Sequence, residues 1–463
     1  MEVLSPPSAT FSLVQKATPG RAPDQRAGAA NPRAPSVVLP LQFILTGILA
    51  LLTGSVWLVQ RPDLLSTYHY NPDVIALTHL FVLGWISSTI MGAMYQLVPV
   101  ALETQLYSEK LARWHFVLHV IGFIGMVAMF RIWNMKQVGR FGSLLAGGVG
   151  LFVYNLARTL VRIPRWSVVA AGIAASLCWL PMTVLTGLCV ALAKIWPGLN
   201  PFLPLAAMHA HAHLGGLGFF VMLIVSVSYR LVPMFTLGEL RSMHRAAGSL
   251  VLLNAGLAGT VVMILASSPW KFLFACVVFV GLLLYLLEIA AIVRGRRRRV
   301  LDWGLKYFLT ALALLALVSL LGLVLAWVRP PSNLFGPQFE TAYGFLALIG
   351  VVTFAILGML YKVVPFLVWY ASYSRAIGRS KVPSLASLYS PTLQFAGYWL
   401  FVIGIFVTSI AAAFGHARAV QTGCAFLLGG LALFAANMGR ILAHLIWPRL
   451  EPLVIQPAVG DNR

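Results

Sequence analysis

Acidic side chains are scarce in this chain, with 12 Asp and Glu among 463 residues. No two of them fall together inside an apolar stretch, so the paired carboxylates of general acid–base chemistry are missing. A nucleophile motif and a glycine loop for phosphate are missing too. Cysteine is rarer still. Cys178, Cys189, Cys276 and Cys424 all lie in apolar runs and form no Cys-x-x-Cys or Cys-x-x-Cys-His pattern. That spacing speaks against structural disulfides and against a covalently attached c-type heme. Charge as a whole is short: 10% of residues are charged, against about 25% in ordinary soluble domains. What remains is 60% hydrophobic with a mean hydropathy of +0.87, the composition of an integral membrane protein.

Apolar runs long enough to cross a bilayer, about 20 residues each, occur at 37–59, 74–100, 110–131, 142–162, 167–193, 204–234, 245–267, 271–293, 303–327, 341–370, 390–414 and 422–446. The expected fold is therefore all-α with twelve transmembrane helices. The runs are too long for barrel strands and lack their in/out alternation.

An internal ruler divides these helices into three sets. His79 to Gly84 runs on to Tyr95-Gln96-Leu97-Val98-Pro99, His213 to Gly218 to Tyr229-Arg230-Leu231-Val232-Pro233, and Phe345 to Gly350 to Tyr361-Lys362-Val363-Val364-Pro365. In each, glycine, tyrosine and proline fall 5, 16 and 20 residues after the first position, and the copies start 134 and 132 residues apart. A threefold repeat follows, with four helices per copy over 37–162, 167–293 and 303–446. The fourth helices agree in weaker form, through Val149 to Asn155, Val280 to Leu286 and Gly430 to Asn437.

The net charge of +21 comes from Lys and Arg placed on one side. With the N-terminus cytoplasmic, inside segments hold 25 of the 33 Lys and Arg residues, the positive-inside bias. The run Arg294-Gly295-Arg296-Arg297-Arg298-Arg299 is its sharpest instance, so it reads as a topology signal and not as a nucleic-acid contact. Residues 1–36, rich in Pro, Ala and Arg, read as a disordered cytoplasmic tail. Residues 447–463 read as a second cytoplasmic tail, placing both termini inside a prokaryotic plasma membrane.

Ionisable side chains within a bilayer are functional candidates by default. They are His79, His115, His119, His209, His211, His213, Glu288 and His444. On a helical wheel His209 and His213 lie about 40° apart while His211 faces almost the opposite way, so one helix can present imidazoles to two sites. A heme between two helices needs one histidine from each, and the repeat-equivalent pair His79 and His213 is the first choice. Helix-packing histidines are the competing reading. Gly84 and Gly218 permit close approach of a macrocycle or of a neighbouring backbone. His119, and His209 one turn from His213, are possible metal ligands; for His119 an interhelical hydrogen bond is favoured. Glu288 is expected to pair with Arg294, and His69, His244, His416 and His444 to be interfacial. Tyr95, Tyr229 and Tyr361 are expected at the cytoplasmic boundary, where amphipathic rings collect, with the following proline ending or kinking the helix.

The segment from His79 through Leu83-Gly84-Trp85, Gly92-Ala93-Met94-Tyr95 and Val98-Pro99 resembles the histidine-bearing helix of the catalytic subunit I of heme-copper oxidases, especially the cbb-type and nitric-oxide-reductase branch. His211-Ala212-His213 is similar to that family's His-x-His. The resemblance implies three four-helix arcs, b-type heme, copper, a quinol or cytochrome electron donor and further membrane subunits. It also implies respiratory electron transfer or oxygen or nitric-oxide chemistry. Phe345 and Tyr343 stand where the family's two helix-10 heme ligands would be, and helix 7 offers only His244 and Asn254 in place of adjacent copper-binding histidines. The standard oxygen-reducing site is thus incomplete, and a heme would lie between helices 2 and 6, not 2 and 10. The chain also resembles the NnrS family of heme- and copper-containing twelve-helix proteins, except that Leu214 follows the His-x-His where that family has an acidic residue. A heme-free transporter or assembly subunit on the same fold is the rival.

Overall fold

The computed structural model describes residues 36–327 and 337–452. The tail expected over 1–36, apart from Ser36, and the chain beyond 452 lie outside the described residues. Twelve helices are long and apolar enough to cross a membrane. They are α1 Val38–Gln60, α2 Pro72–Ala101, α3 Glu109–Arg131, α4 Met135–Leu160, α5 Val168–Leu192, α6 Pro204–Thr236, α7 Met243–Leu265, α8 Lys271–Arg294, α9 Trp303–Trp327, α10 Gln338–Ala376, α11 Pro391–Ala413 and α12 Ala417–Leu445. A two-residue antiparallel pair, β1 Ser380–Lys381 and β2 Glu451–Pro452, joins the end of the described chain to the loop after α10.

The three ruler helices are the inner ones. In α2, α6 and α10, 72% of the apolar window is buried by protein, against 33–44% in the other nine. The remaining helices present Ile, Val, Leu and Phe outward, as at Ile121, Val251, Leu283 and Phe406, the surface expected toward lipid. Neighbours in sequence pack as hairpins: α3 on α4, α7 on α8, and α11 on α12. The chain closes through contacts of α4 with α5, α8 with α9, and α1 with α12.

Each ruler helix carries a π-helical segment starting one residue after the first ruler position, at Leu80–Ser87, Leu214–Val221 and Leu346–Thr353. Such segments rotate the rest of the helix and loosen backbone carbonyls. The Leu83 carbonyl is met by Ser88 Oγ of the same helix at 3.1 Å and by His119 Nε2 of α3 at 3.2 Å. Pro99 and Pro233 lie inside α2 and α6 just before their ends, whereas α10 continues well beyond Pro365.

A second threefold device holds the basic ends together. Ser108, Ser242 and Ser390 are the N-caps of α3, α7 and α11. The side chains of Asn155, Glu288 and Asn437, on the helix that follows in each set, accept the N–H of these serines at 3.0, 2.9 and 2.8 Å. Asn155 and Asn437 also donate to the same serine's carbonyl. Glu288, fully buried, accepts the N–H of Arg241 and pairs with Arg245 at 2.7 Å. Its partner is therefore Arg245 and not the expected Arg294, because the carboxylate is drawn across to the cap of the neighbouring helix.

The ruler tyrosines are enclosed by protein. Tyr95, Tyr229 and Tyr361 are 0%, 4% and 3% exposed, so they are core residues. Tyr95 hydroxyl pairs with His115 Nδ1 at 2.9 Å and Tyr229 hydroxyl with Ser249 Oγ at 2.7 Å, tying α2 to α3 and α6 to α7. His444 is also buried, with its Nδ1 2.6 Å from Tyr373 hydroxyl.

Candidate functional site

The π segments begin where the histidines end, so the first α-helical turns of α2 and α6 aim the imidazoles. His79 Nδ1–H donates to the carbonyl of Ile75 at 2.7 Å, and His213 Nδ1–H to that of His209 at 2.7 Å. His211 Nδ1 reaches across to the Thr183 carbonyl of α5 at 2.9 Å. In all three the hydrogen bond puts the proton on Nδ1 and leaves Nε2 as the lone pair, the tautomer a metal requires.

The structure brings His79 together with His211. Their rings lie 6.4 Å apart between centroids and within 13° of parallel, and Phe130 covers His79 at 4.6 Å. His213, the partner expected from repeat equivalence, makes no ring contact with His79 among the described residues. The reason is angular, since His211 and His213 lie about 200° apart on the wheel of α6. His211, half a turn of the wheel away, is the residue that looks back at α2. Gly187 on α5 makes room for it, since a Cβ there would stand 2.6 Å from the His211 ring. One helix does serve two sites, with His211 toward α2 and His209 toward α10.

Tyr343 occupies on α10 the position of His211 on α6, two residues before the ruler's first residue, and is seated alike. A Cβ on Gly322 of α9 would lie 3.2 Å from its hydroxyl. On α6, Gly216, three residues after His213, faces open space. The gap between α2 and α10 is different. Phe81, Phe345 and Phe401 fill it, leaving a cavity of about 10 Å³ lined by apolar groups and Ser55, and Trp85 Nε1 bridges it to Thr353 Oγ1 at 2.9 Å. That packing leaves room for about one water.

Gly84 and Gly218 serve helix packing. A Cβ on Gly84 would stand 2.8 Å from Ala50 and 3.0 Å from Phe123, and one on Gly218 would stand 2.8 Å from Trp179 and 2.9 Å from Leu257. His119 donates or accepts at Ser88 Oγ, 3.0 Å away on α2, in an interhelical hydrogen bond. Asn254 similarly accepts Trp179 Nε1 at 2.7 Å. His209 has its Nε2 3.9 Å from Glu340 Oε2, which is also 3.6 Å from His69 Nε2. The sequence reading missed His69 and Glu340 as members of a site; their separation along the chain left no local signal.

Twelve membrane helices around a histidine-bearing inner trio define the class to which the comparisons point. The family model for cytochrome c and quinol oxidase polypeptide I matches residues 28–140. A cytochrome c oxidase subunit 1 homologue from bacteroids of Bradyrhizobium diazoefficiens is 40% identical over 109 residues, 23% of this chain and 20% of the relative. The aligned region thus spans about a fifth of that relative's length. A heme-copper terminal oxidase dimer solved by cryo-electron microscopy shares the fold, with a TM-score of 0.66 and 14% identity over 91% of this chain and 86% of the other. The likeness in sequence thus covers the first part of the chain, and the likeness in fold extends over nearly all of it.

Proposed function

We propose that this protein binds a b-type heme in the membrane and acts in respiratory electron transfer or in oxygen or nitric-oxide chemistry, as one membrane domain over 37–446. The observation that carries this reading is the His79–His211 pair. Two imidazoles from different helices stand near parallel, each with Nδ1 tied to a backbone carbonyl. Two metal–imidazole bonds of about 2 Å, with about 1 Å from each nitrogen to its ring centre, give about 6 Å between centroids, close to the 6.4 Å seen. The donor set fits a heme, which His79 and His211 would hold. A heme held there would supply a one-electron couple. Ile75 and Thr183 carbonyls orient its ligands, and Phe130 keeps water from His79.

The aromatic filling between α2 and α10 supports the α2–α6 placement over the superfamily's usual one. His213, with its Nδ1 tied to the His209 carbonyl and open space at Gly216, supports a second position with a single imidazole. Electrons would come from a membrane quinol or a partner cytochrome, with other membrane subunits alongside.

The test is the reduced-minus-oxidised spectrum of the detergent-purified protein made with ample heme. Sharp α and Soret bands are expected, lost in His79→Ala and His211→Ala and kept in His213→Ala. Loss in His213→Ala with retention in His211→Ala would restore the repeat-equivalent pair instead. A featureless spectrum would overturn the heme reading and leave a heme-free transporter or assembly subunit.

A further inference from the structure

At the ends of the inner helices away from the arginine-rich loops, His69 of the α1–α2 loop, His209 of α6 and Glu340 of α10 converge. One ligand atom from each lies within 4.8 Å of the other two. Among the described residues this is the one group of three or more His, Cys, Asp or Glu side chains so arranged. We propose that it is a binding site for a divalent transition-metal ion of the zinc or copper type, separate from any heme.

The distances carry the argument. Glu340 Oε2 lies 3.6 Å from His69 Nε2 and 3.9 Å from His209 Nε2. Both exceed the 2.7–3.2 Å range of an N–H···O hydrogen bond, so the carboxylate is not bonded directly to either ring through these atoms. Ligands about 2.0–2.1 Å from a tetrahedral ion stand about 3.3–3.4 Å from one another. A contraction of a few tenths of an ångström therefore closes the set. The two rings flank the carboxylate with centroids 5.7 Å apart and 28° between planes, and Tyr68 packs on His69 at 4.7 Å, fixing one wall.

Imidazole and carboxylate together suit zinc, copper and iron, and are poor for calcium and magnesium. The side chains are 15%, 32% and 44% exposed for His69, His209 and Glu340, so an ion can enter from the outer aqueous face. Three protein ligands leave at least one coordination position for water or an exchangeable ligand. The ion would also cross-link one segment from each repeat.

The test uses the full chain purified in detergent, stripped with a chelator and then equilibrated with Zn²⁺, or with Co²⁺ as an optical reporter of tetrahedral ligation. One retained ion per chain by elemental analysis is expected, with a Zn²⁺-dependent rise in thermal midpoint. His209→Ala and the near-isosteric Glu340→Gln should each weaken binding at least tenfold, while His79→Ala leaves it unchanged. Monodisperse elution checks that the variants fold. Failure of the folded wild-type chain to retain zinc or cobalt, or undiminished retention in both variants, would overturn the site. Neither outcome bears on the heme bands, so the two readings fail separately.

Discussion

At the scale of single residues, function turns on which way a ring points, and small neighbours decide that. His211 can face α2 because Gly187 has no side chain. In Gly187→Val the Cβ would begin 2.6 Å from the imidazole, so the ring must turn or α5 must move away. The expected outcome is a protein that still purifies monodisperse but shows weakened and shifted heme bands, whereas Gly216→Ala, placed in open space, leaves them unchanged. Buried charge is the other residue-scale lever. Glu288→Ala removes the acceptor of two backbone N–H groups and the partner of Arg245. Breaking a buried pair from one side costs about 3–5 kcal/mol, so the thermal midpoint in detergent should fall by several degrees or the yield collapse. The milder Asn155→Ala, which breaks neutral bonds, should cost about 1–3 kcal/mol.

At the scale of helices, two devices repeat: the π segment in each inner helix and the cap clasp between the third and fourth helices of each set. Hairpin packing then rests on small residues. In α12 a Cβ on Gly423 would stand 2.6 Å from the Thr408 backbone nitrogen of α11, a contact that a neighbouring backbone cannot relieve. With lipid as solvent, helices associate through such close packing and not through a hydrophobic drive. Gly423→Leu should therefore separate α11 from α12 and lower the thermal midpoint, while Gly439→Ala, with nothing within 4 Å, should be silent. Differential scanning fluorimetry on the purified variants distinguishes the two.

At the scale of the whole molecule, the charge asymmetry predicts orientation. Arg297 and Asp63 lie on opposite sides of the twelve-span topology and are well exposed. In a background with Cys178, Cys189, Cys276 and Cys424 replaced, a membrane-impermeant maleimide should label Asp63→Cys in intact cells. It should label Arg297→Cys only after lysis. The reverse pattern would invert the topology and would put the His69–His209–Glu340 group on the cytoplasmic side.

Twelve helices, their limits to within seven residues and the histidines of interest were legible in the chain itself. Hydropathy, helix length and the spacing of His79, His213 and Phe345 are local properties that a bilayer enforces one segment at a time. The wheel argument for α6 also held, because it needs only 3.6 residues per turn within Met208 to His213. Pairing across helices was not legible. His211 and not His213 meets His79 because the two lie about 200° apart on the α6 wheel and the rotation of α6 against α2 turns the former toward it. Arg245 reaches Glu288, and Glu340 reaches His69 and His209, across tens to hundreds of residues, where no sequence period operates. The sequence by itself determined which segments cross the membrane and which imidazoles enter it. The tertiary structure alone decided which of them face one another, because that depends on helix rotation and on where glycine lets a ring in.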